Sequence, residues 1–525
     1  MAEAGPAASR PLAALVQRWR EEQRLEDLLV PAGTGAATKA VKAVQLSAVR
    51  DDSRQVQPGD LFVAVRGLRV DGHDYVAEAL AGGAAAIAVE RPIDGASVPQ
   101  LVVERGAAAL ASAAAWWYGD PSRELLTVGV TGTNGKTTTS FLAGAALEAA
   151  GLGTGLVGTI GIGIGDALRR NEEPNTTPGA LALQALLREM RDVGEDAVVL
   201  ETSSHGLAAD RVGSVAYDAA IFTNLSHEHL DFHGTFEAYR DAKLSLFSRL
   251  PREAKGGRPG LAVINIDDPA APLFIAAAEA TGARIATYGA ADTAGVQVLD
   301  IEADSRGSRI AVELGGFPPI GLTVPIPGRY NVHNALAVLA LARGWDLDLQ
   351  TVADAIAAFP GVPGRMESID RGQPFGVVID YAHTPKSIEA VAGELAALAK
   401  LAGGSVISVL GASGERDVGK RPLMGKAAAQ HSRLVIVTED DSRGEDPQSI
   451  YEAIAKGAEQ AGKRRGKDLL VIGDRREAIA EAFHRAKAGD VVLLAGKGHE
   501  TWNMGPNGPE PWSDRETAIA LLAGA

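Results

Sequence analysis

Cysteine is absent from all 525 residues of this chain. That excludes disulfides, thiolate metal ligands and a thiol nucleophile together. Positive charge is also short: 51 Lys and Arg stand against 66 Asp and Glu, a formal charge of −15, with a pI of about 5.2. No electrostatic footprint for nucleic acid is present, so none is expected as a partner. An anionic substrate must then be held by local Arg, Lys and metal ions against the overall field. Long hydrophobic runs are missing too, because Lys, Arg, Asp or Glu interrupts each one, and no membrane span is expected. The N-terminal stretch with Arg10, Leu12, Leu15, Val16 and Trp19 reads as a short amphipathic segment without a signal-peptide h-region. A cytoplasmic location is the default. What remains is an ordinary globular composition, 46% hydrophobic and 22% charged, long enough for roughly three domains.

The most informative stretch present is Val128-Gly129-Val130-Thr131-Gly132-Thr133-Asn134-Gly135-Lys136-Thr137-Thr138-Thr139. Apolar β-formers lead into it, and a helix-compatible stretch runs from Thr137 to about Ala149. Strand, glycine loop, Lys-Thr and helix is the order a phosphate cradle needs. Glycines let backbone N–H groups turn toward an anion, and the helix N-terminus adds partial positive charge. Lys136 can reach the β/γ-phosphates and the Thr137 hydroxyl can hold Mg²⁺. The usual loop has a glycine where this chain has Val130, flanked by Gly129 and Gly132. A tight strand-to-helix turn with a solvated lysine is the competing reading. The full context favours nucleoside triphosphate binding.

Three blocks follow one another. The first, to about Pro121, is Ala-rich and carries Asp52-Ser53-Arg54 and Pro58–Ala64. The phosphate loop opens the second. The third begins after the linker-like Phe359-Pro360-Gly361-Val362-Pro363-Gly364. In the last two blocks β-branched runs at 198–200, 219–222, 377–379, 406–410, 435–437 and 491–494 each end in a polar or glycine-rich cluster, with helical stretches between. That alternation predicts α/β domains with parallel sheets, and ligands at the carboxyl ends of the strands. Gly153-Thr154-Gly155-Leu156-Val157-Gly158 matches a dinucleotide pattern but follows a helix, so it reads as a helix stop and turn.

Among ionisable residues, Glu201 ends an apolar strand where a Walker-B acid would ligate Mg²⁺. His227, Glu228, His229, Asp231 and His233 form the densest cluster, without the spacing of a zinc protease. A zinc site and a solvated polar loop both compete with the preferred reading, in which His229 lies near a second Mg²⁺ and Asn224 orients phosphates. Lys243, in an amphipathic helical stretch, reads on its own as a surface lysine. Arg365, Arg416 and Arg443 suit planar carboxylates or phosphates, but scattered arginines are often only surface residues.

Together these strings resemble the Mur ligases, the ATP-dependent amide-forming enzymes of peptidoglycan synthesis, in particular the branch that adds a diamino acid. The resemblance runs from Asp52 to Arg515 and is carried by Thr131–Thr139, Glu201–Leu207, Asn224–Gly234, Asn331–Asn334, Gly364–Glu367, Asp380–Pro385, Gly419–Gly425 and Gly496–Glu500. It implies three domains: a UDP-MurNAc-binding domain at 1–121, a central P-loop ATPase-like domain at 122–358, and a Rossmann-like domain at 359–525 that binds the diamino acid. It implies ATP and Mg²⁺ as cofactors, and UDP-MurNAc-L-Ala-D-Glu and a free diamino acid as substrates. A monomer is expected. Gly132, Thr133, Asn134, Gly135, Lys136, Thr137, Thr138, Asn331, Arg365 and Asp380 then fall to ATP, and Thr137, Glu201 and His229 to metal. Ser53, Thr176, Thr177, Ser203 and Arg211 match positions that hold the UDP-MurNAc-dipeptide. Lys243 matches a lysine the family carbamylates, which would make it an anionic metal ligand and overturns its bland reading. Lys136, Lys243 and His229 are thus the catalytic candidates.

Arg416, Asp440, Asp441, Arg443, Gly496 and Glu500 match the diamino-acid positions. Diaminopimelate-adding members read Asp-Asn-Pro-Arg where this chain has Asp440-Asp441-Ser442-Arg443. Arg443, with Arg416, suits the distal carboxylate of meso-diaminopimelate; the extra charge of Asp441 suits the bare ammonium of lysine or ornithine. Diaminopimelate is slightly favoured. Another Mur ligase or a folylpolyglutamate synthase is the nearest alternative. A nucleotide-driven switch that makes no product leaves the metal ligands unexplained.

Overall fold

The structure, a computed structural model, describes residues 9–31, 37–67, 70–165, 167–171, 175–226, 228–316, 318–505 and 508–524. His227 lies outside them. The chain forms two compact units, Met1–Thr287 with Leu341–Leu347, and Tyr288–Ala340 with Asp348–Ala525.

The first unit holds a two-stranded ribbon, Arg10–Pro11 with Gln45–Leu46, and two larger sheets. The N-terminal sheet has the order Leu25–Leu29, Gln100–Val103, Ala86–Val89, Leu61–Val63, Val49–Arg50, parallel except at its first pair. Its three inner strands are buried and largely apolar, as strands covered on both faces require, while the edge strand Leu25–Leu29 is partly exposed. The amphipathic segment foreseen at the N-terminus is the helix Leu12–Glu21, and Leu12, Leu15, Val16 and Trp19 are its buried face.

In the central sheet Thr154–Val157, Ala197–Glu201, Leu126–Thr131, Ala219–Phe222 and Leu261–Asn265 run parallel in that spatial order. An antiparallel ribbon, Gly161–Ile164 and Ala167–Arg170, extends it beyond Thr154–Val157. Leu126–Thr131 is buried throughout and feeds, through Gly132–Gly135, the helix Lys136–Ala149. The dinucleotide-like glycines are no phosphate site: Gly155 lies inside a strand, where a Cβ would meet Met190 Sδ at 2.5 Å.

The second unit contains an antiparallel set, Val296–Ala303, Ser308–Glu313 and Ile320–Val324. It also contains a six-stranded sheet in the order Glu367–Ser368, Gly376–Asp380, Val491–Ala495, Val406–Leu410, Ser432–Val437, Leu469–Val471, parallel except for the first short strand. The β-branched runs read from sequence all fall inside observed strands. Their polar clusters therefore sit at strand carboxyl ends, as the α/β rule requires. Among the described residues no helix is long and apolar enough to cross a membrane.

Candidate active site

The phosphate loop takes its shape from two glycines. Gly132 has φ +152° and Gly135 φ +86°, and a Cβ on Gly132 would lie 1.9 Å from Thr223 Oγ1. Val130 explains the departure from the usual spacing. The strand runs on through Val130 to Thr131, so the turn starts only at Gly132. Asn224 fixes the loop from the next strand: its Oδ1 accepts from Asn134 N at 2.9 Å and its Nδ2 donates to Asn134 O at 3.0 Å. Its amide thus holds the backbone of the loop whose phosphates the sequence reading had it orient.

Two lysines converge on one carbonyl. Lys136 Nζ donates to Gly132 O and Thr133 O, both at 2.9 Å. Lys243 Nζ donates to the same Gly132 O at 2.8 Å and lies 4.7 Å from the centre of the Tyr239 ring. Lys243 is 1% exposed, so the surface reading of that residue fails. On the helix Phe236–Phe247 it shares the buried face with Tyr239, Leu246 and Phe247. Burial first, and the neighbouring Lys136 cation second, hold its pKa well below the ordinary lysine value. Tyr239 in turn hydrogen-bonds Thr133 Oγ1 at 2.9 Å, and burial pushes its phenol up to about 12.

Across the loop, Thr137 Oγ1 donates to Glu201 Oε2 at 3.0 Å. The Glu201 carboxylate also accepts from Thr159 N and Thr159 Oγ1, each at 3.0 Å. Thr137 and Glu201 were paired from sequence alone, and they meet. Their hydroxyl and carboxylate oxygens are hard donors of the kind Mg²⁺ takes. Behind Glu201 lies a hydroxyl cluster. Thr177 Oγ1 donates to Glu201 O at 2.7 Å and lies 3.0 Å from Ser203 Oγ; Thr159 Oγ1 and Thr176 Oγ1 are hydrogen-bonded at 3.0 Å; Arg211 Nη1 donates to Thr177 O at 3.0 Å. Four of the five residues matched to the UDP substrate are therefore neighbours. The fifth, Ser53, lies in the N-terminal sheet's region and donates to Glu78 at 2.6 Å. His229 is exposed, has φ +56°, and stands edge-on to His205 with ring centres 4.6 Å apart.

The second unit carries the remaining candidates. Asp380 is buried at the end of its strand, where its carboxylate accepts from Met366 N and Ala382 N; burial raises its pKa, with Arg365 opposing. The Arg365 guanidinium lies 5.1 Å from the centre of the Tyr381 ring. Asn331, in the first turn of Arg329–Gly344, donates to Pro327 O and accepts from Asn334. Arg416 is exposed.

Asp440, Asp441 and Glu500 form a carboxylate cluster around one buried cation that sequence reasoning passed over. Lys497, 0% exposed, places Nζ 2.7 Å from Asp441 Oδ1, 2.9 Å from Glu500 Oε2 and 3.8 Å from Asp440 Oδ1. The signal was present in Gly496–Glu500, of which only the two ends had been used. Burial alone would lower the Lys497 pKa, but Asp440, Glu500 and Asp441 outweigh it and raise it. Burial raises Asp440 to about 6; Arg475 and Lys497 pull it down, and Asp441 and Glu500 push it further up. Asp441 Oδ1 also accepts from Met504 N at 2.8 Å, and Arg443 N donates to Met504 O at 2.8 Å. Asp441 and Arg443 have φ near +50°, so the loop is bent backbone pinned to the hairpin Trp502–Gly505 and Gly508–Pro511.

Comparison with known proteins accords with this geometry. The chain matches the Mur ligase family, catalytic domain, over residues 45–118; the Mur ligase middle domain over 130–342; and the Mur ligase, glutamate ligase domain, over 364–498. A UDP-N-acetylmuramyl-tripeptide synthetase of Roseiflexus sp. (strain RS-1) is 44% identical, over 91% of this chain and 95% of its own length. A UDP-N-acetylmuramoyl-L-alanyl-D-glutamate–2,6-diaminopimelate ligase of Bacillus cereus is 39% identical over 91% of this chain and 94% of its own. A solved structure of an enzyme with that same name superposes with a TM-score of 0.68 at 32% identity, covering 91% of this chain and 95% of the other. Phosphate loop, buried lysine, oxygen donor pair and identity over 91% of the chain agree, and the chain belongs to the Mur ligase family of ATP-dependent amide-forming ligases.

Proposed function

We propose that this chain joins meso-diaminopimelate to the D-glutamate of UDP-MurNAc-L-Ala-D-Glu at the expense of ATP, in the cytoplasm where the nucleotide-linked precursors are. The observation that carries this reading is the convergence of Lys136, Lys243, Thr137 and Glu201 about one phosphate loop, within a chain 39% identical to a relative named for this reaction and 44% identical to one named a UDP-N-acetylmuramyl-tripeptide synthetase. On this reading the domains divide at 1–121, 122–358 and 359–525 and bind the UDP substrate, ATP and the amino acid in that order.

A carboxylate is a poor electrophile. Transfer of the ATP γ-phosphate to the D-glutamate γ-carboxylate gives an acyl phosphate and ADP, which supplies a leaving group. The diamino acid's amine then attacks the acyl carbon, and the tetrahedral intermediate collapses to amide and phosphate. Lys136 steadies the β/γ-phosphate charge as it moves. Thr137, Glu201, His229 and a carbamylated Lys243 are the ligands we assign to Mg²⁺, which supplies charge screening when bound. Ser53, Thr176, Thr177, Ser203 and Arg211 hold the UDP-MurNAc-dipeptide. Asn331, Arg365 and Asp380 bind the nucleotide.

Diaminopimelate is favoured over lysine because Asp441 is already neutralised. Its Oδ1 bonds Lys497 and Met504 N, so its charge is balanced inside the protein and a bare ω-ammonium would have to compete with Lys497. Arg443 and Arg416 are left for a distal carboxylate. Product mass spectrometry with diaminopimelate, lysine and ornithine in competition tests the whole reading. Amide formation with diaminopimelate is expected, and slow ATP hydrolysis with no new amide would sink it.

Arg443→Ala removes a charge-assisted carboxylate contact worth roughly 1.5–3 kcal/mol. The KM for diaminopimelate is expected to rise at least ~10-fold while the ATP KM stays put. Asp441→Asn removes a partner of Lys497 and not a ligand contact, so it is expected to leave the preference among diaminopimelate, lysine and ornithine unchanged. If Arg443→Ala does not alter selectivity in kcat/KM, the 440–443 loop is not the specificity element.

A further inference from the structure

Behind the carboxylate cluster lies a second buried cation. Arg475, at the start of the helix Arg475–Arg485, is 5% exposed. Its fork grips Asp514, Nε to Oδ1 at 2.8 Å and Nη2 to Oδ2 at 2.7 Å. Asp514 is itself fully buried, accepts from Trp512 Nε1 at 2.9 Å, and stands in the first turn of the helix Asp514–Ala523, where a carboxylate is favoured.

The remaining donors of Arg475 reach two backbone carbonyls. Nη1 donates to Glu439 O at 3.1 Å and Nη2 to Ala495 O at 3.0 Å. Each carbonyl directly precedes a loop assigned to the diamino acid: Asp440–Arg443 follows Glu439, and Gly496–Glu500 follows Ala495. The strands that feed these loops, Ser432–Val437 and Val491–Ala495, are not sheet neighbours, because Val406–Leu410 runs between them. No ladder hydrogen bond joins them directly, and beyond the last ladder rungs Arg475 links the two backbones across the end of the middle strand.

The tolerances there are tight. A Cβ on Gly411, just past the middle strand, would meet Asp440 Cβ at 2.5 Å, and one on Gly496 would meet Asp440 Oδ2 at 2.4 Å. Asp440 is thus wedged between the two backbones. A small change in the gap moves Asp440, Asp441 and Glu500 relative to one another and to Arg443. An ammonium in place of the guanidinium lacks the planar fork needed to hold both Asp514 oxygens and both carbonyls.

We propose that Arg475, braced by Asp514, is a positioning residue for diamino-acid recognition: it sets the distance between the two loops that bind the amino acid and touches no substrate itself. The proposal rests on the ligase reading above. It predicts a split between kinetic constants that loss of stability does not produce.

The test is steady-state kinetics of the full chain with Arg475→Lys and Asp514→Asn, each varied in diaminopimelate, ATP and UDP-MurNAc-L-Ala-D-Glu. Both variants keep side-chain volume close to wild type. The diaminopimelate KM is expected to rise at least tenfold in Arg475→Lys and several-fold in Asp514→Asn, with the other two KM values within twofold of wild type. A lowered melting temperature with all three KM values unchanged would make the pair a plain structural ion pair and overturn the proposal. Parallel rises in all three would also overturn it, as general damage. Wild-type protein that forms no amide sinks the ligase reading instead, a result visible before any variant is made.

Discussion

Replacing Lys136 by alanine is expected to take ligation and ATP turnover to background, a loss of at least ~10²–10³-fold, the scale on which removal of one preorganised charge-stabilising group acts. Lys136 is the loop side chain that can bring a cation to the β/γ-phosphates. Two hydrogen bonds that it makes, to Gly132 O and Thr133 O, are within its own loop, and Gly132 O keeps Lys243 as a donor. The fold should therefore survive, with an unchanged circular dichroism spectrum and a melting temperature within a few degrees of wild type. Isothermal calorimetry should show weakened ATP binding. Near-wild-type turnover in a folded variant would remove the phosphate-loop assignment.

Lys243→Ala is expected to be nearly inactive, and Lys243→Glu to recover part of the activity. Carbon dioxide adds to a neutral amine, forming the N–C bond and releasing one proton. An ordinary lysine, with its reference pKa near ~10.4, is almost wholly protonated at neutral pH. Burial and the adjacent Lys136 shift Lys243 the other way, which raises the fraction able to react. The carbamate is an anion on a long stem, and glutamate offers a carboxylate at shorter reach, hence the partial rescue. Wild-type enzyme stripped of carbon dioxide should lose activity and regain it on addition of bicarbonate. An alanine variant that works normally would end the carbamate proposal.

The phosphate loop was legible because everything it needs is contiguous: strand, glycines, Lys136, Thr137 and helix occupy one short run. The strands were legible because parallel, doubly covered sheets need unbroken apolar runs, and those runs stand out between polar clusters. Lys243 was misread on its own terms because a lysine carries no mark of burial. Its helical register, shared with Tyr239, Leu246 and Phe247, did carry one. Asp441 was read as a charge facing a ligand, since its partner Lys497 lies 56 residues away. Arg475 and Asp514 were invisible for the same reason, being 39 residues apart and joined only when the sheet's carboxyl edge is built. Local motifs announce chemistry; the groups that brace it come from elsewhere in the chain.

The double hydrogen bond between Asn224 and Asn134, 90 residues apart, bears on how the nucleotide binds. It closes the phosphate loop's backbone on a neighbouring strand's carboxyl end from outside, without help from any phosphate. The nucleotide then meets a cradle whose conformational entropy has already been lost in folding, so that little of its contact energy goes into ordering the loop. Deuterium exchange reads this directly. The Asn134 amide should exchange slowly in the nucleotide-free protein, ATP should slow it little further, and Asn224→Ala should speed it while raising the ATP Kd.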